Sequence, residues 1–216
     1  MKRTIFAAVL ASTLMASSSF AAVLTTTPGD KVIEGIKIAQ TGQVNIENQQ
    51  LPVSLIGAGL RAKKVVIVNV KVYVAELLSS DASKFVRTDA DALKSLDDSR
   101  TIALRMTFLR GVDAATVQTS FKEALDANKV NTADAAMSQF LTAVANGGDA
   151  VNGKTLTIVM QKNADKTESV YYEDSNGKVT KIDGRQGFSS EIMSIWLGTP
   201  SDSGVANLKA QLIKGL

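Results

Sequence analysis

The chain has 216 residues, enough for one domain with a substantial core. It contains no cysteine and no histidine, which excludes disulfides, imidazole metal sites and nucleophilic sites that use a cysteine or a histidine base. Its 24 basic and 21 acidic residues nearly balance, and no basic cluster is interleaved with aromatic residues, so we expect no nucleic-acid partner. No acidic calcium-loop pattern occurs either, and we expect neither a metal nor a cofactor.

Residues 1–21 have the pattern of a secretory signal peptide. Two basic residues precede an apolar run from Ile5 to Met15, and small residues precede a cut after Ala21. The apolar run has 11 residues, well short of the roughly 20 residues that span a bilayer. We therefore expect a periplasmic or secreted protein whose mature chain has no transmembrane segment. The alternative is an uncleaved anchor.

The first part of the mature chain predicts a flexible segment followed by short strands. Residues 22–29 combine three threonines with a Pro-Gly pair, so we expect a flexible N-terminus before a domain at 30–216. Alternation of apolar and polar residues predicts a strand over Lys31 to Ile38. Further short strands are predicted at Gln43 to Glu47 and at Leu51 to Ile56.

The segment from Leu55 to Leu78 is the most informative part of the chain. Gly57 and Gly59 predict a corner just before Arg61. From Val65 to Leu78 the β-branched content predicts one long central strand, straight or with a bulge, whose valine face lies in the core. Arginine is always charged and carries a planar fork of donors. Arg61 is therefore either a sheet-edge residue paired with a carboxylate or a cation aimed into an apolar pocket.

The part of the chain after Leu78 predicts alternating groups of strands and helices. This order indicates the α+β class with an antiparallel sheet. An Asp-Ser-Asn-Gly turn at 174–177 predicts a hairpin. The predicted strands lie at 100–109, 155–161, 168–173 and 178–182. The predicted helices lie after Asp81 and at 89–96, 113–128, 132–144 and 188–198. Pro200 and Ser203 separate the last of these from a final helix that carries Val205, Leu208 and Leu212.

Four motifs in a fixed order resemble one known family. They are GAGLR at 57–61, KVYVAELL at 71–78, the strand–helix unit at 100–128, and SSEIMSIWLGTP at 189–200. This set resembles the chalcone isomerase-like proteins, and more narrowly their bacterial exported branch. The resemblance covers residues 30–216. It implies an open-faced β-sandwich, in which a large antiparallel sheet is covered on one face by helices and a ligand cleft lies between the two layers.

The isomerase branch of this family implies site residues that the chain only partly keeps. There, an arginine at the place of Arg61 supports negative charge, a tyrosine follows the third core strand, and a threonine lies on a helix near the C-terminus. The segment Arg110 to Thr116 contains no tyrosine, and Ile195 stands at the place of the threonine. Isoleucine can neither donate nor accept a hydrogen bond, so these departures argue against flavonoid isomerisation.

The fatty-acid-binding branch implies that the same arginine holds a carboxylate with the help of a tyrosine, for which Tyr73 is the candidate. A straight strand of twelve residues spans roughly 40 Å, so Arg61 and Tyr73 can meet only if the chain turns or bulges at 62–64. The predicted ligand-binding residues are Arg61, Tyr73, Ile195 and Trp196. The alternatives are that Tyr73 packs with its hydroxyl at the rim and that Trp196 belongs to the core.

Together these patterns predict a non-catalytic binder of a fatty acid or a similar small amphipathic carboxylate. The alternative is an intramolecular lyase of the chalcone isomerase type that acts on an unidentified enone, with Arg61 as the catalytic cation. A third hypothesis is an accessory protein of the cell envelope whose cleft is filled.

Overall fold

The computed structural model describes residues 22–65 and 67–216, so the predicted leader at 1–21 lies outside the described residues. The eight strands form one antiparallel sheet in which each strand pairs with its neighbours in the sequence. They are β1 (Leu24–Ile33), β2 (Ile36–Ile46), β3 (Gln49–Val65), β4 (Val68–Ser79), β5 (Thr101–Phe108), β6 (Thr155–Lys162), β7 (Glu168–Glu173) and β8 (Val179–Gly184).

The helices lie close to their predicted positions. Three of them are capped by the side chain of an aspartate, Asp113, Asp134 or Asp202, whose carboxylate accepts hydrogen bonds from the first backbone N–H groups of the helix. The helices are α1 (Ala92–Ser95), α2 (Ala114–Ala127), α3 (Ala135–Asn146), α4 (Phe188–Leu197) and α5 (Ser203–Lys214).

The two faces of the sheet are covered differently. On one face, buried residues such as Leu77, Leu104 and Ile158 form the main core with the helices. On the other face, the intervening residues, among them Leu78 and Val159, pack with side chains of β1 and β2. β4 is buried without interruption from Tyr73 to Ser79 for this reason. The predicted class, α+β with a large antiparallel sheet covered on one face by helices, is confirmed.

The prediction of a flexible segment at 22–29 is wrong. β1 already begins at Leu24, which pairs with Val44 of β2, and the side chains of Val23 and Leu24 are buried. Threonine is favoured in strands, and the burial of these apolar residues anchors the segment. The predicted strand over residues 31–38 is broken at Glu34 and Gly35, which both have positive φ and make the turn between β1 and β2.

The prediction of a corner at Gly57 and Gly59 is wrong, because both glycines lie inside β3. A Cβ atom at Gly57 would lie 2.1 Å from the carbonyl oxygen of Leu212, and one at Gly59 would lie 2.6 Å from Cβ of Gln211. The two glycines therefore let α5 approach the backbone of β3 more closely than any side chain would allow.

The prediction of one long strand from Val65 to Leu78 is also wrong. The chain reverses, with Ile67 in the turn, and β3 and β4 form a hairpin in which Val65 pairs with Val68. Of the valines predicted to be core, Val74 is buried, Val70 is half-buried and Val68 is exposed. The side chains of Ile67 and Val68 at the end of the hairpin are exposed and have no core to enter.

Candidate ligand-binding cavity

A cavity of about 290 Å³ lies between the sheet and the helices. Its size is near the lower end of the ~300–1,000 Å³ that is typical of small-molecule sites. Walls from β3, β4 and β5 face walls from α2, α4 and α5. Most of the lining is apolar, including Val72, Phe108, Val117, Phe121, Ile195 and Val205. The predicted site residues Arg61, Tyr73, Ile195 and Trp196 all line this one cavity.

Arg61 is both a cavity residue and a member of an ion pair. The residue is only 8% exposed. Its Nη2 donates to Oδ2 of Asp202 at 2.5 Å, and its Nη1 donates to the carbonyl oxygen of Ala62. These bonds use only part of the five N–H groups of a guanidinium. The remaining N–H groups can serve a ligand.

The first turn of α5 is built around this guanidinium. A Cβ atom at Gly204 would lie 2.0 Å from Nη1 of Arg61 and 1.8 Å from the carbonyl oxygen of Ala62. Only glycine leaves room for the arginine at this position. The position of the Arg61 side chain therefore depends on a residue that is distant in the sequence.

Asp202 is held as a carboxylate. Its Oδ1 accepts from the backbone N–H groups of Gly204 and Val205 at 2.7 and 2.9 Å. Burial opposes ionisation, but the Val205 N–H group and the charge of Arg61 outweigh it, and the pKa of Asp202 lies below its usual range. The Arg61–Asp202 pair is therefore close to neutral overall, so Arg61 presents directed donors to the cavity more than a full positive charge.

Tyr73 is the partner of Arg61 in the ladder between β3 and β4, and the register shifts immediately after this pair. Its hydroxyl accepts a hydrogen bond from Nε1 of Trp196 at 3.0 Å, which leaves the hydroxyl proton available for donation. Burial raises the pKa of Tyr73, although the Trp196 hydrogen bond and the charge of Arg61 oppose this. The hydroxyl is consequently protonated at neutral pH.

Trp196 and Ile195 form the apolar wall contributed by α4. The Trp196 ring packs edge-to-face on Phe121 at 5.2 Å between centroids, and the residue is 1% exposed. Trp196 thus belongs to the core, as the alternative interpretation held, and also borders the cavity. Ile195 is buried and offers no polar group at its position.

The segment after β5 lines the cavity without a tyrosine. Arg110, Asp113 and Thr116 border it there. The Thr116 hydroxyl donates to Oδ2 of Asp113 at 2.7 Å, and the Thr116 N–H donates to Oδ1. Both groups are therefore engaged in capping α2. Arg110 is exposed and stands beside the cavity as a further cation.

Sequence reasoning missed Asp202 and Gly204. The sequence Ser201-Asp202-Ser203 before an amphipathic segment is a signal for a helix N-cap, but it does not reveal that this cap meets an arginine 141 positions earlier. The close approach of Gly204 to Arg61 has no local signature.

Residues 22–65 and 67–216 contain neither a membrane-spanning helix nor a cluster of metal ligands. No helix in those ranges is long and apolar enough to cross a membrane. The same ranges contain no group of three or more acidic side chains placed to hold a metal ion.

Comparison with known proteins places the chain in a family. Among solved structures it is similar to a fatty-acid binding protein from Arabidopsis thaliana, with a TM-score of 0.52 and 16% identity over 74% of this chain and 86% of that chain. At this identity the likeness shows the fold alone. No curated protein matches the sequence significantly. The family model described as chalcone isomerase-like matches residues 30–213, and the chain therefore belongs to the chalcone isomerase-like family.

Proposed function

We propose that the protein binds a fatty acid or a similar small amphipathic carboxylate and does not convert it chemically. The observation that carries this proposal is the placement of Arg61 and Tyr73 as paired residues in the wall of one largely apolar cavity. The structural similarity to a plant fatty-acid binding protein supports it.

The head group of the ligand is held by directed hydrogen bonds. Arg61 has N–H groups beyond those that bind Asp202 and Ala62, and Tyr73 has a hydroxyl proton to donate. Hydrogen bonds from charged donors to a carboxylate are short and strong. Because Asp202 neutralises much of the charge of Arg61, these donors orient the ligand more than they attract it.

The tail supplies most of the affinity. Burial of apolar surface contributes about 25 cal/mol per Å², and the cavity offers the side chains of Val72, Val117, Phe121 and Val205. An unbranched tail can lie along this lining, starting from the head-group donors.

Catalysis has little support in this site. An isomerase needs a group that exchanges a proton near the reacting atoms, but Thr116 is engaged by Asp113 and Ile195 is apolar. Tyr73 is a buried hydroxyl with a raised pKa, which suits hydrogen-bond donation and not proton removal.

We also propose that the chain is a member of the bacterial exported branch and acts in the periplasm or outside the cell. The leader pattern at 1–21 supports this. Intact-mass measurement of the protein that accumulates in expressing cells should give a chain that begins at Ala22. A chain that retains residues 1–21 in the envelope fraction would contradict cleavage.

Native mass spectrometry of the purified protein tests the binding proposal. The spectrum should show a co-purified acid, and Arg61→Ala should lose it. Lys94→Ala removes an exposed cation on α1 and is the matched control. Because Arg61→Ala leaves Asp202 without its cation, circular dichroism must show that the variant is folded. A ligand-free spectrum together with no heat of binding for dodecanoate would refute the proposal.

A further inference from the structure

The β3–β4 hairpin projects beyond the body of the sheet. The β2 ladder on β3 stops at Ser54, and the β5 ladder on β4 reaches only to Tyr73. Apart from the bond that the Leu109 N–H group donates to the Val72 carbonyl oxygen, the described residues between 62 and 72 therefore form a two-stranded ribbon that pairs with no other strand in the described part of the chain. At about 3.4 Å per residue, its end lies ~15 Å beyond Tyr73.

The end of this ribbon is apolar and open to solvent. Ile67 is 88% exposed and Val68 is 59% exposed. Ile67 is the most exposed large apolar side chain among the described residues. Isolated valines on other surfaces, such as Val86 at 42%, are less exposed. Two consecutive exposed apolar residues at a protruding turn are a candidate contact surface for an apolar partner.

Two exposed lysines, Lys63 and Lys64, lie beside this end. From Asn48 to Ala75 the sequence has no aspartate or glutamate. Lys63 and Lys64 are exposed beside the apolar end, and Lys71 lies next along the ribbon, where its Nζ binds Glu34 at 2.6 Å. An apolar end flanked by lysines complements an anionic lipid surface. The aliphatic parts of the lysine side chains can lie along acyl chains while their ammonium groups reach the phosphates.

We propose that this end of the hairpin docks into the surface of an anionic lipid bilayer through Lys63, Lys64, Ile67 and Val68. Ile67 and Val68 enter the boundary between head groups and acyl chains, and Lys63 and Lys64 contact the phosphates. A protein partner would need about 800 Å² on each side for a stable interface, whereas the apolar surface here is confined to the residues of one turn. Insertion of two apolar side chains into a bilayer does not require a large complementary surface.

The same ribbon borders the cavity. Lys63, Val70 and Val72 line it, so docking would bring this wall of the cavity close to the membrane surface. The docking goes beyond the proposed binding of an acid and does not depend on it.

Sedimentation with vesicles tests the docking. The protein is used in the form that cells accumulate, so that wild type and variants share one N-terminus. It should bind vesicles of phosphatidylcholine mixed with phosphatidylglycerol more tightly than vesicles of phosphatidylcholine alone. Ile67→Asp should weaken this binding about tenfold or more, and Lys64→Gln about fivefold. Val86→Asp is the matched control and should bind as wild type does.

A second readout follows the residue itself. In Ile67→Trp the added indole should shift its emission to the blue when the mixed vesicles are added, and in Val86→Trp it should not. Ile67→Asp should still bind dodecanoate in solution, and Arg61→Ala should still bind vesicles, so docking and acid binding can fail separately. Three results would overturn the docking: no binding of wild type to the mixed vesicles, equal binding by Ile67→Asp, or a dimer that Ile67→Asp dissociates without any vesicle binding.

Discussion

Arg61 and Tyr73 stand opposite each other in the β3–β4 hairpin, and both side chains line one cavity. The reversal of the chain at Ile67 brings them together although twelve positions separate them. Residues directly opposite each other in an antiparallel pair point to the same face of the sheet, so the hairpin alone places both side chains on one side; the register shift follows the pair, between Arg61 and Ala62. Two donors of different kinds, a charged guanidinium and a neutral hydroxyl, are thus fixed by the same backbone ladder.

Gly204→Ala should displace Arg61. The new methyl group would lie 2.0 Å from Nη1 of the arginine, so either the guanidinium or α5 must move. We expect a loss of about 1–3 kcal/mol in the free energy of unfolding and weaker binding of dodecanoate. Urea denaturation and calorimetric titration measure the two effects. Gly29→Ala is the control, because a Cβ atom there has its nearest neighbour at 3.4 Å. If both variants had the same free energy of unfolding and the same affinity for dodecanoate, α5 would move aside without a loss of stability or binding, which would contradict this prediction.

Tyr73→Phe should weaken acid binding and lower stability. The change removes one donor to the ligand and leaves Nε1 of Trp196 without its acceptor. A buried donor left unpaired costs about 1–3 kcal/mol. The chain has a single tryptophan, and it borders the cavity, so its emission follows both ligand binding and unfolding. Tyr171→Phe, on the other face of the sheet, should leave acid binding unchanged. Unaltered affinity in Tyr73→Phe would remove Tyr73 from the site.

Asp202→Asn should bind carboxylates more tightly than the wild type does. Asparagine can still cap α5, while Arg61 loses the anion that competes with the ligand. Titration with dodecanoate should therefore give a lower dissociation constant. A weaker complex would mean that Asp202 positions the guanidinium and that the competition is unimportant.

Asp202 also predicts a loss of stability in acid. Its pKa in the folded protein is below the ordinary value of 3.8, so the group contributes stability that is present above that value and is lost as the pH falls through the folded pKa. Urea denaturation at decreasing pH should show this loss, and Asp202→Asn should show a shallower decline. Identical curves for the two proteins would contradict the assignment.

The tyrosines should resist ionisation in the folded protein. Burial raises the pKa of Tyr73 and of Tyr172, and it raises that of Tyr171 to about 12. A raised tyrosine pKa contributes stability that is present below the ordinary value near 10 and is lost as the pH rises through the folded pKa. The tyrosinate absorbance of the folded protein should therefore rise at higher pH than that of the urea-unfolded chain. Coincident titrations would contradict the burial of these hydroxyls.

The class of fold and most helices could be predicted from the sequence because amphipathic periods and caps are local signals. The hairpin at Ile67 could not be predicted from the sequence. Its turn lies within the apolar run Val65–Val68, which has none of the Gly, Pro or Asn-Gly signals that mark a reversal. The first part of β1 was not predicted because the Pro28-Gly29 pair is typical of a loop. In the structure, pairing with β2 holds this segment as a strand.

For the candidate site, local motifs named residues that share one cavity, but they did not reveal the contacts of those residues. The family motifs identified four candidate residues, and the structure places all four around one cavity. They are Arg61, Tyr73, Ile195 and Trp196. The partnership of Arg61 with Asp202 and Gly204 depends on how α5 docks on β3. Docking of this kind is a tertiary property that no short pattern encodes.

A crystal structure of the protein grown with dodecanoate tests the central claim most directly. We expect the carboxylate within hydrogen-bonding distance of Arg61 and of the Tyr73 hydroxyl, with the tail against Val72, Val117 and Val205. Electron density for the acid at another place, or side chains that close the cavity beside Arg61 while the acid remains unbound, would contradict the account.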